Sequence, residues 1–102
     1  MPVTSAVSAD GKDITIKISG RFDFAVQNEF RDCYHGIGPD DGVSFVIDMS
    51  KASYMDSSAL GMLLMMREHL GSNNANITIS NCSDDISNIL TVANFQSLFK
   101  IA

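Results

Sequence analysis

The sequence predicts a single α/β domain with a mixed, mostly parallel β-sheet and the element order β-β-α-β-α-β-α-β. An Asp-Gly pair at positions 10 and 11 lies between two extended runs, which indicates a β-hairpin at the start. Further along, segments with strand periodicity alternate with segments with helix periodicity, and this alternation favours right-handed crossovers between parallel strands. The 102 residues suffice for one compact core, so we expect one domain over 1–102.

The first third of the chain is predicted to form the hairpin and one helix. Val3 to Ala9 alternates weakly, and Ile14 to Ile18 alternates apolar and polar residues as a half-buried strand does. Asp-Gly suits a tight turn in which both central residues take positive φ. The Gly-Arg-Phe-Asp segment at 20–23 should break the strand, and Asp23 should cap a helix that runs to about Tyr34. The apolar stripe of that helix is Val26, Phe30, Cys33 and Tyr34.

The middle of the chain predicts a central strand and a second helix. Val43 to Met49 is nearly continuously apolar, which is typical of a strand that is covered on both faces. The second helix should follow Asp56 and end near Gly71, because glycine stops helices by adopting positive φ. Asn76 to Ser80 alternates and is predicted to be a strand.

The last segments predict a third helix and a final strand. Ser83 can cap the helix, and Asp84 and Asp85 would then lie in its first turn, where the helix dipole favours carboxylates. Leu98 to Ile101 is predicted to be a short strand. The helical stripe consists of Ile86, Ile89, Leu90 and Ala93.

Composition and charge exclude several classes of function. The net charge is −5, whereas nucleic acids and anionic membranes require a basic surface. No apolar run approaches the roughly 20 residues that span a bilayer, and the first residues carry no secretory signal, so we expect a cytoplasmic protein without membrane insertion. Cys33 and Cys82 have neither metal nor redox spacing, and we expect no metal and no cofactor.

The joint between the central strand and the second helix carries one carboxylate and two hydroxyls, Asp56, Ser57 and Ser58. All three residue types cap helices, so capping alone is one interpretation. On a helical wheel the best core arc is Ala59, Met62, Leu63, Met66 and Leu70, since the alternative leucine arc would bury Arg67. The solvent side then holds Ser57, Leu60, Gly61, Leu64 and Glu68, either as isolated exposed residues or as a docking patch.

The Asp-Ser-Ser-Ala-Leu-Gly segment at 56–61 resembles the Asp-Ser-Ser/Thr-Gly-Leu-Gly signature of anti-sigma-factor antagonists, small proteins of the STAS-domain family. Residues 18–23 are similar to that family's Gly-Glu-Leu-Asp turn, and residues 46–50 to its apolar strand ending in Asp-Leu-Ser. Residues 90–101 are similar to its passage from the third helix into the last strand. The resemblance covers nearly the whole chain in the same order.

The resemblance implies a switch by phosphorylation. In the family, a partner serine kinase that is also an anti-sigma factor phosphorylates the serine after the aspartate, and a separate serine phosphatase removes the phosphate. The unmodified form binds the kinase and releases its other client. By position, Ser57 is the phosphoacceptor, Asp56 and Ser58 flank it, and Asp23 lies on a neighbouring loop. We expect a monomer that contacts its partner through Leu60, Gly61, Leu64 and Glu68; ATP and magnesium belong to the kinase.

The chain departs from the family pattern at three places. Ala59 stands where the signature has glycine, and Arg21 stands where the turn has an acidic residue, which changes the charge beside Asp23. The sequence stops at Ala102, whereas many members continue into a further helix, so we expect a C-terminal helix that is short or absent.

Two other functions are compatible with parts of the sequence. A STAS module that is never phosphorylated could act as an assembly scaffold or as a transporter accessory subunit, but the intact Asp-Ser-Ser triplet favours the phosphorylated switch. An enzyme with Ser57 or Ser58 as nucleophile would need a base and an oxyanion hole. The sequence has no Gly-x-Ser-x-Gly elbow, and His69 would lie about three turns from Ser57 on the same helix, so we expect no enzyme.

Overall fold

A computed structural model describes residues 2–102, and the order of its elements confirms the prediction. The strands are β1 (Val3–Val7), β2 (Asp13–Phe22), β3 (Ser44–Met55), β4 (Asn76–Ser80) and β5 (Lys100–Ile101). The α-helices are α1 (Gln27–Asp32), α2 (Ser57–His69) and α3 (Asp84–Val92). Short 3-10 helices span Phe24–Val26, Ser72–Asn74 and Phe95–Ser97.

The strands form one five-stranded sheet in the order β1-β2-β3-β4-β5. β1 is antiparallel to β2 and the remaining pairs are parallel, which confirms the mixed, mostly parallel sheet. The hairpin is present, and the Ser8 amide donates to the Asp13 carbonyl at 2.8 Å. Its turn is not the expected one, because in the Asp-Gly pair only Gly11 has a positive φ.

The core lies on one face of the sheet. Phe45 and Ile47 of β3 are buried, whereas Val46 between them is only half-buried. Val46 is flanked by Thr15 and Thr78 on the neighbouring strands, which are half-buried as well. The prediction that β3 is covered on both faces is therefore wrong: a single valine on the polar face made the run look continuously apolar. The buried row across the sheet is Ile14, Ile16, Phe45, Ile47, Ile77 and Ile79.

The two central strands are longer than predicted and end side by side. The Gly-Arg-Phe-Asp segment does not break β2, because Gly20, at φ +77, lies at an irregularity in the register beyond which pairing continues. Phe22 then pairs with Met55, and both side chains are buried. This extension brings Asp23 and Asp56, which follow directly, to the same edge of the sheet.

The ends of the helices agree with the predicted caps. Asp23 caps the 3-10 turn before α1, and Gly71 ends α2 in a left-handed conformation at φ +103. The Ser83 hydroxyl accepts the Ile86 amide at 3.3 Å at the start of α3. α1 is shorter than predicted, and the last strand begins at Lys100 rather than Leu98, because the preceding 3-10 turn continues until the Leu98 amide bonds Phe95. Among residues 2–102, no helix is long and apolar enough to cross a membrane.

Candidate functional site

The candidate site is the corner where β2 and β3 end and α2 begins. Arg21 pairs with Tyr54 in the last register positions of the two strands, next to the Phe22–Met55 pair. Asp23 and Asp56 are the next residues, and each is the N-cap of the helix that follows it. The parallel pairing of β2 with β3 thus brings together residues that are far apart in the sequence.

Asp56 is bonded through both carboxylate oxygens. Oδ1 accepts the Ser58 amide at 3.0 Å and the Ser58 hydroxyl at 2.5 Å. Oδ2 accepts the Tyr54 hydroxyl at 3.3 Å. These bonds favour the ionised carboxylate, and the hydroxyl of Ser58 makes the largest contribution to lowering the pKa of Asp56. Asp56 is therefore a charged helix cap in which each carboxylate oxygen accepts at least one hydrogen bond.

The two serines of the triplet have different environments. Ser58 is half-buried, and its hydroxyl donates to Asp56. Ser57 is exposed, and its hydroxyl makes no hydrogen bond within the described part of the chain. An exposed hydroxyl without a partner can enter another protein's active site at little cost, whereas Ser58 would first have to release its bond to the carboxylate.

Asp23 is held by two neighbours. Its Oδ1 accepts the Ala25 amide at 3.1 Å, and its Oδ2 accepts Nε–H of Arg21 at 3.2 Å. The Arg21 guanidinium also lies over the ring of Tyr54, 3.8 Å from the centroid. A continuous set of contacts therefore joins Asp23 to Asp56 through Arg21 and Tyr54. Tyr54 has no predicted role in the site; the pairing of the two strand ends places it opposite Arg21.

The outward face of α2 agrees with the helical wheel. The inner face of α2 is buried along the whole predicted core arc, which consists of Ala59, Met62, Leu63, Met66 and Leu70. On the other side Leu60 is half-buried, Leu64 is 39% exposed, and Gly61 and Glu68 are exposed. A Cβ added at Gly61 would meet no atom of the described residues within 4 Å, so their packing does not require glycine there.

An apolar groove of about 480 Å³ separates α2 from α3 beside the triplet. Ser57 and Leu60 line one wall, whereas Leu64 and Glu68 lie outside the groove. The opposite wall comes from α3 and includes Val92, which is 89% exposed. Ile89 and Ala93 belong to the predicted apolar stripe of α3, but no site residue is predicted on that helix. Val92, an apolar residue outside that stripe, is the signal in the sequence. The lining residues are Met55, Asp56, Ser57, Leu60, Asn88, Ile89, Val92 and Ala93.

The remaining reactive side chains lie elsewhere. His69 is at the far end of α2, where Nε2 bonds the Ile37 carbonyl at 2.9 Å. Cys33 and Cys82 are half-buried free thiols, and burial raises the pKa of each, which keeps them protonated. Within residues 2–102, no group of three or more His, Cys, Asp or Glu side chains is arranged to hold a metal ion.

Comparisons with known proteins agree with this architecture. The family model described as "Mlab, STAS domain" matches residues 5–100. A STAS-domain-containing protein of Pseudomonas aeruginosa is 47% identical over 102 residues, which is 100% of each chain.

Solved structures of low sequence identity share the fold. The anti-sigma factor antagonist SpoIIAA in its unphosphorylated form has a TM-score of 0.74 at 17% identity, with 98% of this chain and 86% of that chain covered. The phosphorylated form of SpoIIAA from Bacillus has a TM-score of 0.73 at 16% identity, with 98% of this chain and 90% of that chain covered. A sulfate transporter family protein of Wolinella succinogenes has a TM-score of 0.71 at 17% identity, with 93% of this chain and 80% of that chain covered. The chain therefore belongs to the STAS-domain family and has the fold of SpoIIAA.

Proposed function

We propose that the chain is an anti-sigma-factor antagonist in a partner-switching pathway of the cytoplasm. As a monomer without phosphate, it binds a serine kinase that is also an anti-sigma factor, or another regulator with that role. A phosphate on Ser57 blocks the binding, and a serine phosphatase restores it. The observation that carries the proposal is the exposed, unbonded hydroxyl of Ser57 at the rim of an apolar groove, beside a Ser58 that Asp56 already holds.

The chain supplies only the hydroxyl to the reaction. The kinase transfers the γ-phosphoryl group of ATP to Oγ of Ser57, ADP leaves, and the hydroxyl proton passes to a base of the kinase. Ser57 is the first residue of α2, where the helix dipole favours an anion, although the Ser58 and Ala59 amides are already bonded to Asp56. Phosphorylation should therefore leave the fold intact.

The phosphate acts on the partner through the groove. It would add a charge of about −1.5 to −2 at the edge of an apolar surface, and a partner that covers the surface would have to desolvate that charge. The carboxylate of Asp56 is adjacent and also negative, so acidic groups of a partner are repelled further. This charge makes a binary switch without refolding of the domain.

The partner surface that we propose includes both predicted and newly identified residues. Leu60 and Gly61 of α2 remain in it, and Ile89 and Val92 of α3 form its second wall. Leu64 and Glu68 extend the same helix face away from the groove. Gly61 lets the backbone of a partner approach α2 closely, which accounts for a glycine that the packing of the chain itself does not need.

A STAS scaffold or transporter accessory subunit without phosphorylation is the second candidate. The likeness of fold to a sulfate transporter family protein supports it. The Asp-Ser-Ser triplet and the exposure of Ser57 favour the phosphorylated switch. A catalytic role is the least supported, because Ser57 and His69 stand at opposite ends of a 13-residue helix, too far apart for proton transfer.

Intact-mass spectrometry of the chain isolated from its own cells, with phosphatases inhibited, tests the proposal. We expect a fraction of the wild-type chain and of Ser58→Ala to carry one phosphoryl group. Ser57→Ala should carry none. Phosphate on Ser57→Ala would contradict the site, and wild-type chain without phosphate under every growth condition would favour the scaffold.

A further inference from the structure

The side chain of Arg21 is held at the corner although most of it is exposed. Its side chain is 63% exposed, yet it contacts both the Asp23 carboxylate and the face of the Tyr54 ring. Each contact alone contributes little at a surface, but together they orient the guanidinium.

Most of the hydrogen-bonding capacity of this guanidinium is unused. Within residues 2–102, its one hydrogen bond is from Nε to Asp23, so both terminal amino groups are without an acceptor. A guanidinium presents its N–H groups in a planar fork that fits two oxygens of a phosphate. Arg21 can therefore present this fork to a phosphate at the corner without losing its place over Tyr54.

The contacts of Arg21 lead towards Ser57. Arg21 lies over Tyr54, the hydroxyl of Tyr54 donates to Asp56 at 3.3 Å, and Ser57 is the next residue. The basic side chains of α2 itself, Arg67 and His69, lie in its last turn, at the end of the helix opposite to Ser57. The contacts that lead from Arg21 to the residue before Ser57 thus include one guanidinium and two carboxylates, those of Asp23 and Asp56.

We propose that Arg21 binds the phosphate of phosphorylated Ser57 within the chain and releases Asp23 as it does so. The inference rests on the proposed function, because it concerns the phosphorylated state. The exchange is favourable since a phosphate carries about twice the charge of a carboxylate and can accept two parallel hydrogen bonds, whereas Asp23 accepts one hydrogen bond from Arg21. Release leaves Oδ2 of Asp23 without its partner. Phosphorylation would then change two positions of the corner, and a partner could read both.

The test uses a chain in which phosphoserine is inserted at position 57 during translation. The second pKa of the phosphate, ordinarily about 6, is measured by phosphorus NMR. An adjacent cation lowers it, so we expect Arg21→Gln to raise it by about half a unit or more. Lys12→Gln, in the β1–β2 turn, is the matched control and should leave it unchanged.

The phosphate pKa is then compared between Arg21 and Arg21→Gln again, with Asp23→Asn present in both phosphoserine chains. This background removes the carboxylate that Arg21→Gln would otherwise leave unpaired, so a remaining difference reports contact between Arg21 and the phosphate. Equal pKa values in this background would overturn the proposal. We also expect the Nε–H resonance of Arg21 to move when Ser57 carries the phosphate, and an unchanged resonance would contradict the proposal.

Failure of this inference and failure of the proposed function are distinguishable. The phosphate is installed without a kinase, so the measurement works even if the cell never phosphorylates Ser57. Equal pKa values would remove the role of Arg21 and leave Ser57 as the phosphoacceptor. If the chain isolated from its own cells carried no phosphate, the proposed switch would fail. The contact measured between Arg21 and the inserted phosphoserine would still stand.

Discussion

The helix α2 has a fixed side and an open side, and the contrast between them separates folding from binding. The fixed side is its inner face with its carboxyl-terminal end, where Arg67 donates to the Leu98 carbonyl at 3.2 Å and to Asn73 at 2.9 Å. The open side is its amino-terminal turn with its outer face, where, within residues 2–102, the Ser57 hydroxyl has no hydrogen-bond partner and no segment covers the groove.

The two glycines of this region show the same contrast. Gly71 follows the fixed end at φ +103, and a Cβ there would lie 2.9 Å from Cβ of Pro39. Gly61 lies on the open side in ordinary helical conformation, with nothing within 4 Å of an added Cβ. The fold therefore explains Gly71 and does not explain Gly61. Under the proposed function, close approach of a partner gives Gly61 a role that the fold does not.

The largest expected effect separates two adjacent leucines. Leu63 is completely buried and Leu64 is 39% exposed. Leu63→Ala should lower the free energy of unfolding by about 2–5 kcal/mol, because it leaves a cavity in the core. Leu64→Ala should lower it by less than about 1 kcal/mol. Urea denaturation measures both variants. Similar decreases in the free energy of unfolding would contradict the distinction between the inner and outer faces of α2.

The glycines should respond in opposite directions. Gly71→Ala should lower the free energy of unfolding by about 1–3 kcal/mol, since alanine is strained at positive φ and would also contact Pro39. Gly61→Ala should raise it by about 0.5–1 kcal/mol through helix propensity. Thermal denaturation with both variants tests this, and a destabilised Gly61→Ala would mean that the fold does need glycine there.

The smallest effect concerns the two serines. Because the Ser58 hydroxyl is the main cause of the lowered pKa of Asp56, Ser58→Ala should raise that pKa towards the usual 3.8. Ser57→Ala is the matched control and should leave it unchanged. Carbon NMR of the carboxyl group during an acid titration measures both variants. A shift in Ser57→Ala of equal size would show that the serines are not distinct.

The lowered pKa of Asp56 also fixes the sign of a pH dependence. A folded-state pKa below the unfolded value contributes stability above about pH 3.8, and this contribution is lost as the pH falls through the folded-state value. The stability difference between wild type and Asp56→Asn should accordingly shrink below that pH. Asp10 and Asp48, whose pKa values are also lowered, are unchanged in both chains and cancel.

Local patterns were sufficient for most of the fold. The caps at Asp23 and Ser83 and the core arc of α2 follow from side-chain chemistry and helical spacing, and the structure has them where predicted. The length of β2 could not be read locally, because Gly20 signals a break unless β3 continues beside it to hold the bulge. Tertiary pairing decides such cases.

The candidate site was predictable only on one element. The triplet and the outer face of α2 are contiguous in the sequence, so residue type and the resemblance identify the triplet and the helical wheel identifies the outer face. The wall from α3 and the link from Arg21 to Tyr54 depend on packing between distant segments. A wheel treats a helix in isolation, and it assigned Leu64 and Glu68 to the binding patch without indicating that the groove lies on the side of Leu60.

Partner capture from the native lysate tests the central claim most directly. The chain, Ser57→Ala and Ser57→Asp are used as bait, and the serine kinase or anti-sigma protein that is bound is quantified. An acidic side chain suits the first position of a helix, so all three baits should have nearly equal melting temperatures. We predict strong capture by Ser57→Ala and at least about tenfold less by Ser57→Asp, which corresponds to about 1.4 kcal/mol of binding energy. Equal capture by the two variants would contradict a charge switch at Ser57.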